Sequence, residues 1–503
     1  MPPGGCSKAA SAGLMVPSCV PPWIRRGARS WRLDRGLKGH VTGASTAATG
    51  EHLLGRLSEA QRRATARLAA AFARQGAALY LVGGAVRDLL LERVVLDLDF
   101  TTDASPGTIR TAASAAGASA IYSANERFAT VGLELEGETI EITTFRGAVG
   151  AGVHADLAGR DFTCNAMAIV VAGTANEESG ALIDPFDGQG DLWRRTIRGV
   201  PDAAARLAED PLRALRAIRF AADLDAVIEP ETRAAIIAHG ADLARISRER
   251  IGAELTRLLM VSDVAAALQW LERLGLLEHA LPELVPLARF NAAGSKDLWT
   301  HTRLVVAATP PRPVVRWAAL LHDVAKPQTY SMQGGEVHFF GHELAGARIA
   351  KGLLSRLKLE REIVEAVRVL IELHGRPSHY GPDWTDGAVR RLMLDTGLWR
   401  DDLLDLARAD VTSARPQVRR RAQERIDGLA AHCARLLEEQ ELAKLQSPLD
   451  GNALMTLFER TPGPWIRPLK DHLRGLVIDG ELASDDVAGA TAEARRWMDE
   501  HEG

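Results

Sequence analysis

Two carboxylates separated by a single residue stand out in the first quarter of the chain. Asp97 and Asp99 lie in a predicted strand, Val95–Phe100, where alternation places both side chains on one face, about 7 Å apart. The two charges repel each other, and a divalent cation removes that cost. Glu141, on a neighbouring predicted strand, could supply a third carboxylate. Such a cluster could hold one or two Mg²⁺ ions, which clamp a triphosphate and activate an attacking hydroxyl.

A glycine turn comes just before these carboxylates. Gly83 and Gly84 end a predicted strand, Ala78–Val82, and open a predicted helix, Ala85–Leu91. Glycines let the backbone approach phosphate closely, and the helix N-terminus adds its dipole. Arg87, in the first turn of that helix, can neutralise phosphate charge. A lone Asp-x-Asp or Gly-Gly predicts little, but this ordered combination is much rarer and favours a nucleotide site.

A second set of metal-binding residue types lies in the C-terminal half. It consists of His301, His322, Asp323, His342, His374 and Asp410. Imidazole nitrogen with carboxylate oxygen suits Mn, Fe, Co, Ni or Zn better than Ca. Metals held in this way activate water for phosphoester hydrolysis. One adjacent His-Asp pair is usually incidental, so the prediction depends on the ordered series.

The elements that must position these residues change character along the chain. Strands are predicted in the first 150 residues, including Thr130–Leu135 and Thr139–Thr144, which are joined by a turn at Glu136 and Gly137. From Asp202 onward the pattern is predominantly helical. The predicted fold class is therefore α+β, with a small mixed α/β head followed by a predominantly α-helical neck, body and tail.

Composition limits the classes of protein to consider. The chain has 503 residues, of which 46% are hydrophobic and 25% charged, as in soluble proteins of several domains. Its apolar runs are too short for a membrane span, and its four scattered cysteines favour a reducing cytoplasm. The net charge of −4 argues only weakly against nucleic-acid binding, because a local basic groove suffices. No obligatory protein partner is evident.

These motifs resemble those of the polymerase-β-type nucleotidyltransferases, specifically the bacterial CCA-adding enzyme and poly(A) polymerase family. Further stretches are similar to the family's later motifs and occur in the family's order. They begin at Arg160-Asp161-Phe-Thr-Cys-Asn165, Asp184-Pro-Phe-Asp-Gly188, Glu209-Asp210-Pro-Leu-Arg213 and Ser247-Arg-Glu-Arg250. The resemblance runs from about residue 78 to 480. It implies template-independent addition of CC or CCA to tRNA 3′ ends, from CTP with or without ATP, with Mg²⁺ in the head.

The resemblance also implies a set of nucleotide-binding residues. They are Gly83, Gly84, Arg87, Arg160, Asp161, Asn165, Asp210, Arg213, Arg216 and Arg219. Asp210 and Arg213 are predicted to lie three apart on one helix face and to imitate the Watson–Crick edge of a pairing base. The carboxylate would accept from the exocyclic amine of cytosine or adenine, and the guanidinium would donate to ring acceptors. Uracil and guanine present a carbonyl there and would be refused.

The histidine series resembles the HD superfamily of phosphohydrolases. The resemblance implies His301, His322, Asp323 and Asp410 as core ligands of a divalent transition metal of the Ni, Co or Mn type. His342 and His374 would complete a two-metal site. The predicted divisions are a disordered or mis-assigned tail (1–55), a nucleotidyltransferase head (56–200), an RNA-binding neck (201–290), an HD domain (291–415) and a tRNA-binding helical tail (416–503).

Three questions stay open from the sequence. Only 13 residues, Gly147–Gly159, separate Arg146 from Arg160. Full CCA-adding members of the family usually carry a longer loop here, and members that add only CC have a shortened one, so both products are possible. A poly(A) polymerase is the first alternative, since it shares the Glu-Asp-x-x-Arg motif. An HD phosphohydrolase with an RNA-binding head is the second, and the intact Asp97 and Asp99 argue against it.

Overall fold

The structure is a computed structural model that describes residues 50–125, 129–146, 152–173, 177–291, 297–412, 415–438 and 446–502. Residues 1–49 of the predicted N-terminal tail and residues 147–151 of the short connection lie outside the described residues. The described residues confirm the α+β prediction, with one mixed sheet near the start and helices over most of the remainder. No helix among them is both long and apolar enough to cross a bilayer.

The head alternates short helices with strands. Its elements are α1 (Gly50–Leu54), α2 (Glu59–Arg74), β1 (Leu79–Val82), α3 (Gly84–Leu90), β2 (Leu98–Thr102), α4 (Pro106–Ala115), β3 (Ala120–Asn125), β4 (Thr130–Leu135), β5 (Glu138–Thr144), α5 (Val153–Ala158), β6 (Ala168–Ala172), β7 (Leu182–Ile183), α6 (Gly188–Trp193) and β8 (Thr196–Ile197). A short 3-10 helix covers Thr163–Asn165.

Seven of these strands form one sheet in the order β3-β4-β5-β2-β1-β6-β7. The β2 and β5 strands run parallel as neighbours, and their register places Asp99 opposite Glu141. Leu98 and Phe100 of β2 are buried, as are Ile140 and Ile142 of β5. Because side chains alternate along a strand, the two carboxylates share the face that is left open to solvent.

The β2 strand begins three residues later than predicted, so Asp97 lies just before it rather than within it. The reason lies in Val95, whose carbonyl accepts a hydrogen bond of 2.9 Å from Gln61 Nε2 on α2. Gln61 also completes the capping box with Ser58 that starts α2. The chain before Asp97 is therefore fixed to a helix and not to a strand neighbour.

The neck continues the chain with helices packed against the head. They are α7 (Ala203–Glu209), α8 (Arg213–Asp223), α9 (Pro230–His239), α10 (Arg248–Leu259), α11 (Val264–Arg273), α12 (Leu277–Ala280) and α13 (Val285–Ala288), with 3-10 helices at Gly240–Arg245 and Pro282–Leu284. A two-residue strand, β9 (Val227–Ile228), pairs in parallel with β8 of the head. This pairing joins head and neck through the backbone.

The remaining helices form the body and the tail. They are α14 (Leu298–Ala308), α15 (Pro313–Leu321), α16 (Lys326–Thr329), α17 (His342–Arg356), α18 (Arg361–Leu373), α19 (Asp386–Thr396), α20 (Arg400–Asp410), α21 (Pro416–Glu438), α22 (Gly451–Phe458), α23 (Ile466–Asp479) and α24 (Val487–Glu502). A hairpin of β10 (Ser331–Gln333) and β11 (Glu336–His338) follows α16, and 3-10 helices cover Arg376–His379 and Gly397–Trp399.

A buried arginine fixes the body to the neck. Arg316 on α15 donates from Nε to the carbonyls of Thr309 and Pro310 and from Nη1 to that of Leu259, which ends α10. The neighbouring Trp317 indole donates to Thr256 Oγ1 on α10. These bonds hold the second metal-ligand series in place relative to the neck.

Candidate active site and second metal centre

The three predicted carboxylates of the head lie near one another where β2 begins, in the interior of the sheet. Asp99 and Glu141 are paired across β2 and β5, and Asp97 stands two residues before Asp99. The Asp99 side chain reaches solvent, but the protein around it limits the solvation of its carboxyl. This desolvation, then the charges of Glu141 and Asp97, raise the pKa of Asp99 to about 6. Burial and Asp97 likewise raise the pKa of Glu141. A divalent cation would relieve this mutual repulsion. The three carboxylates are not among the groups of described residues whose ligand atoms all lie within 4.8 Å of one another.

The glycine turn lies next to this cluster along the sheet. Gly83 has φ of +70°, a conformation that glycine adopts without steric cost. A β-carbon at Gly83 would also stand only 2.9 Å from Arg160 Nη1. Arg160 is held in turn by Asp156, which accepts from Nη2 at 3.1 Å. The positive φ therefore favours glycine at this position, and the turn brings a guanidinium against the backbone where α3 begins.

Arg87 on α3 points into the protein. Its Nη1 donates to Asn165 Oδ1 at 2.8 Å, and its Nε and Nη2 donate to the carboxylate of Asp88 at 2.9 and 3.0 Å. Asn165 in turn donates from Nδ2 to Asp161 Oδ1 at 3.1 Å. Arg87 and Asn165 therefore make these hydrogen bonds to other residues of the head and hold the glycine turn in place.

A buried ion pair links this network to the neck. Asp161 is almost fully buried, and its Oδ2 accepts from Nε and Nη2 of Arg216 on α8 at 2.8 and 2.6 Å. Burial alone would raise the pKa of Asp161, but Arg216, helped by Asn165 and the Phe162 amide, lowers it well below its usual range. The carboxylate is therefore charged at neutral pH and holds head and neck together.

Phe220 on α8 is a residue that the sequence reading missed. Its ring is buried and has three guanidinium carbons near its centroid, those of Arg87 at 5.2 Å, Arg216 at 5.3 Å and Arg219 at 4.2 Å. Arg219 also donates to the buried Glu254 on α10 at 2.5 Å. A phenylalanine among arginines of one helix gives little signal along the sequence, and its third cation, Arg87, comes from α3.

The prediction that Asp210 and Arg213 share one helix face is wrong. Asp210 ends α7 in an extended conformation, with φ of −140° and ψ of 93°, and α8 begins only at Arg213. The cause is Pro211, because a residue that precedes proline is pushed out of the helical region. Asp210 Oδ2 accepts from Arg250 Nη2 at 2.6 Å instead. The two residues stay near each other through the turn, where the Arg213 amide donates to the Asp210 carbonyl at 3.1 Å.

Arg213 is tied to the short connection that follows β5. Its Nη2 donates to the Gly159 carbonyl at 2.9 Å. Just before Gly159 comes α5, whose Val153 and Leu157 are buried in the core of the head. Asp156 of the same helix accepts from the Arg146 amide at 3.1 Å. The described part of this connection is therefore a packed helix that ends against Arg213.

The second series of ligand residues converges in the body. Two groups each place three ligand atoms within 4.8 Å of one another. One group is His301, His322 and Asp410, and the other is Asp323, His342 and His374. The two groups are neighbours, because His322 Nε2 lies 3.2 Å from Asp323 Oδ2. All six residues predicted from the sequence thus meet at one place.

The imidazoles are oriented by hydrogen bonds on the side away from the centre. Nδ1 of His322, His342 and His374 stands 2.7–2.8 Å from a backbone carbonyl, and Nδ1 of His301 stands 2.8 Å from Thr412 Oγ1. This arrangement leaves each Nε2 directed inward, as in protein metal sites where an outer hydrogen bond fixes the ring. Thr412 was not foreseen, since it lies outside the His/Asp pattern.

Charges at this centre also favour bound cations. Burial disfavours protonation of His322, but Asp323 and Asp410 outweigh it and raise its pKa to about 10. Asp323 Oδ1 is buried and has no hydrogen-bond partner among the described residues, while Oδ2 accepts from Lys326 Nζ at 2.7 Å. A metal ion can take the place of the His322 proton and satisfy the orphaned oxygen. Lys326 is a third residue, after Phe220 and Thr412, that the sequence analysis missed.

Comparison with known proteins decides the family. Residues 79–198 match the poly A polymerase head domain, 227–287 a probable RNA- and SrmB-binding site of polymerase A, and 302–415 the HD domain. The A-adding tRNA nucleotidyltransferase of Deinococcus radiodurans is 32% identical over 449 residues, covering 84% of this chain and 96% of the relative. The chain belongs to the bacterial CCA-adding enzyme and poly(A) polymerase family.

Other members differ in the product that their names state. The CC-adding tRNA nucleotidyltransferase of Thermus thermophilus is 32% identical over 432 residues, covering 83% of this chain and 92% of the relative. The CCA-adding enzyme of Bacillus stearothermophilus in complex with CTP is structurally similar, with a TM-score of 0.64, 25% identity, and coverage of 88% of this chain and all of that one. The resemblance predicted from the motifs is confirmed, and a head and an HD domain of this family imply divalent metal ions.

Acidification should weaken metal binding in the head. With a pKa of about 6, Asp99 is mostly charged at pH 7.5 and mostly protonated at pH 5.5, so Mn²⁺ affinity should fall about fourfold over that interval. Mn²⁺ binding is measured by electron paramagnetic resonance for the parent chain and for the double variant Asp97→Ala with Asp99→Ala. The Mn²⁺ bound by the parent minus that bound by the variant gives the binding at the head alone. An affinity that stays constant over this range would contradict the shifted pKa.

Loss of the buried pair between head and neck should be costly. Arg216→Met leaves Asp161 buried and unpaired and should lower the free energy of unfolding by about 3–5 kcal/mol at pH 7, measured by urea denaturation. Because the native pKa of Asp161 is depressed, the parent keeps this stability above the unfolded value of about 3.9 and loses it only in stronger acid. The exposed Arg195, paired with Asp225, offers a matched control, and Arg195→Met should change stability by under about 0.5 kcal/mol.

Proposed function

We propose that the chain extends the 3′ end of tRNA without a nucleic-acid template and that it adds CC from CTP. One set of contacts carries the proposal. Arg213 is bonded to the carbonyl of Gly159, and the next residue, Arg160, packs against the backbone of Gly83. The residue proposed to read the base, the guanidinium proposed to meet the phosphates and the glycine turn are therefore joined by direct contacts, and β1 before the turn pairs with the β2 strand that carries Asp99.

Each group has a role in transfer. Asp97, Asp99 and Glu141 would hold Mg²⁺, which when bound neutralises the triphosphate and lowers the pKa of the attacking hydroxyl. The RNA 3′ oxygen forms a bond to the α-phosphorus of CTP, the bond to the bridging oxygen breaks, and pyrophosphate leaves. Gly83 and Gly84 would admit the phosphates close to the backbone, with Arg160 beside them.

The other implied residues would act by positioning. Arg87, Asn165 and Asp161 form one hydrogen-bonded chain, which continues through Arg216 to α8. Arg219 is held by Glu254 of the neck. These residues would keep the base-reading residues in register with the carboxylates, while the phosphates themselves would meet Arg160.

Base selection would rest on Asp210 and Arg213. The Asp210 carboxylate can accept from the exocyclic amine of cytosine, and Arg213 can donate to a ring acceptor. Asp210 is already paired with Arg250, which satisfies its charge before a nucleotide arrives. A base that carries a carbonyl in place of the amine offers no donor to the carboxylate and would leave that pair intact.

The product CC is favoured by the connection after β5. Relatives of similar identity are named A-adding, CC-adding and CCA-adding, so family membership alone does not choose among them. In this chain the connection is short, and α5 occupies much of it with Val153 and Leu157 in the core. Arg213 is bonded to the end of that helix, which opposes the rearrangement that a switch from CTP to ATP requires.

The HD domain is proposed to be an active phosphohydrolase with a transition metal of the Ni, Co or Mn type. Both ligand groups are complete, each imidazole presents Nε2, and Asp323 offers an orphaned oxygen. Metal held there would supply a water of lowered pKa for attack on a phosphoester. The partners proposed for the chain are tRNA and CTP, with ATP a substrate only if the product is CCA.

The length of the extended tRNA tests the function proposed for the head. With tRNA ending at the discriminator base, CTP should add two residues, and ATP, alone or together with CTP, should add nothing further, as resolved on a sequencing gel. Asp97→Ala with Asp99→Ala should lower the extension rate by at least about a thousandfold, because the metal site is lost.

Three outcomes would contradict this assignment. Addition of A to tRNA that already ends in CC would make the chain an A-adding or a CCA-adding enzyme. A long A tail would make it a poly(A) polymerase. Extension at the parental rate without Asp97 and Asp99 would remove the metal mechanism.

Metal removal tests the HD domain separately. Treatment with EDTA should abolish hydrolysis of bis(p-nitrophenyl) phosphate, and Mn²⁺, Ni²⁺ or Co²⁺ should restore it. Asp323→Asn should lower the turnover of the reloaded protein at least about a hundredfold, while tRNA extension by the same variant should persist. An absence of turnover with every divalent metal tried would show that the centre is not hydrolytic.

A further inference from the structure

Two exposed aliphatic side chains stand directly before the carboxylates of the head. Val94 is 81% exposed and Leu96 is 63% exposed, whereas Val95 between them is buried. Leu96 immediately precedes Asp97, so the α-carbons of these two residues are about 3.8 Å apart. A single exposed aliphatic residue is ordinary in a globular protein, but two of them beside a proposed metal ligand indicate a surface that another molecule covers. We call Val94 and Leu96 the apolar pair.

The loop that carries the apolar pair is held to three other segments of the chain. Glu92 forms an ion pair of 3.1 Å with Arg56, which follows α1. Arg93 donates from Nη1 to Asp223 Oδ2 and from Nη2 to the Asp223 carbonyl, both at 3.1 Å. The Val95 carbonyl accepts a hydrogen bond from a side chain of α2. The fold therefore keeps the two aliphatic side chains at the surface in a defined position instead of packing them into a core.

The contact with Asp223 places the apolar pair near one end of α8. Arg213 begins this helix and Asp223 ends it, 11 residues in all, so its two ends are about 15 Å apart. Arg213 is proposed to read the base of CTP at the first end. The base of CTP would therefore lie away from the apolar pair, which is left for the other substrate of the reaction.

The reaction itself brings the end of the RNA to this part of the head. The RNA 3′ oxygen must come within about 3.5 Å of the α-phosphorus of CTP, which Asp97 and Asp99 would hold through Mg²⁺. The ribose and the base of the terminal nucleotide are then next to these carboxylates. The apolar pair adjoins Asp97 and lies toward the end of α8 that CTP does not use, so the terminal nucleotide can reach it.

We propose that Val94 and Leu96 pack against the base of the RNA's 3′-terminal nucleotide and so position the hydroxyl that attacks CTP. The inference rests on the transfer function proposed for the head and adds the surface that receives the RNA end. Bases pack against apolar side chains through their flat faces. Valine and leucine carry no hydrogen-bonding groups, so such a surface accepts any base. The reaction needs this tolerance, because the terminal base is the discriminator base before the first addition and cytosine before the second.

A pair of exposed leucines allows a matched test. Leu96 belongs to the apolar pair, whereas Leu398 is 94% exposed in the body. With tRNA ending at the discriminator base and saturating CTP, Leu96→Ser should raise the KM for tRNA roughly fivefold, because an apolar contact is lost. Leu96→Met should keep this KM within about twofold, since it retains the contact, and so should Leu398→Ser, as expected for a surface change. Equal effects of Leu96→Ser and Leu398→Ser would overturn the proposal.

A tRNA without its last base separates base packing from damage to the carboxylates. Its 3′-terminal nucleotide keeps the ribose and the attacking hydroxyl but has no base for the apolar pair to contact. The parent should therefore show a KM roughly fivefold higher for this tRNA, and Leu96→Ser should raise it no further. The KM for CTP should agree between parent and variant within about twofold. A loss from Leu96→Ser that is as large without the base as with it overturns the base contact.

Binding without transfer keeps the proposal independent of catalysis. A tRNA with 2-aminopurine as its 3′-terminal base reports the surroundings of that base through its fluorescence, with no CTP present. The emission should change when the parent binds, and Val94→Ser with Leu96→Ser should weaken the affinity measured in this way roughly tenfold. If the parent shows this change but extends tRNA with no nucleotide, the transfer function fails and the RNA surface stands. Equal affinity and equal emission for the parent and the double variant overturn the surface.

Two further measurements identify what covers the apolar pair. The effect of Leu96→Ser on the KM for tRNA should agree within about twofold among tRNAs with each of the four discriminator bases, because the surface does not read hydrogen-bonding groups. An effect confined to one base contradicts the proposal. Sedimentation of the full chain should give the same mass for the parent and for Val94→Ser with Leu96→Ser. A lower mass for the double variant would assign the apolar pair to a contact between two copies of the chain and would overturn RNA binding there.

Discussion

The buried pair of Asp161 with Arg216 is the interaction on which the catalytic head depends. The residues proposed to hold metal stand on the sheet, and Arg213 begins the first long helix of the neck. The sheet and the helix are separate elements, so the reaction requires something to keep them in register. A charged hydrogen-bonded pair whose carboxylate is buried does this with a fixed geometry, since moving the half-buried Arg216 away would leave the Asp161 charge buried and unpaired. The guanidiniums around Phe220 extend the same joint to α3 and α10.

The two candidate metal sites are built on different physical principles. In the head, three carboxylates lie near one another where β2 begins, and desolvation and mutual repulsion raise the pKa of two of them. In the body, negatively charged carboxylates stand next to imidazoles, and hydrogen bonds to backbone carbonyls orient three of the rings. The first set consists of hard oxygen donors, which suit Mg²⁺, and the second is a mixed set of nitrogen and oxygen donors, which suits transition metals.

The sequence predicted the residue types of both sites and the change from sheet to helix, because these depend on local periodicity and on short motifs. It failed where a tertiary contact or a neighbouring residue overrides the local pattern. Asp97 lies outside its strand because Gln61 captures the Val95 carbonyl, and Asp210 leaves the helix because Pro211 follows it. Phe220 and Thr412 contact Arg87 and His301 on other elements, and spacing does not predict such contacts. Lys326 stands only three residues after Asp323, but a lysine is not among the metal-binding residue types that were sought. Arg250 lay within a recognised motif, but its contact with Asp210 could not be read from the sequence.

The hydrogen bond from Arg213 to residue 159 has a consequence for how specificity evolves. The acceptor is a backbone carbonyl, which every amino acid possesses, so no point substitution at that position can delete it. The bond can be altered by a change in the length of the segment after β5, which places this carbonyl beside the Arg213 guanidinium. Divergence in nucleotide choice among such proteins should therefore proceed by insertions and deletions in this segment more readily than by exchange of side chains.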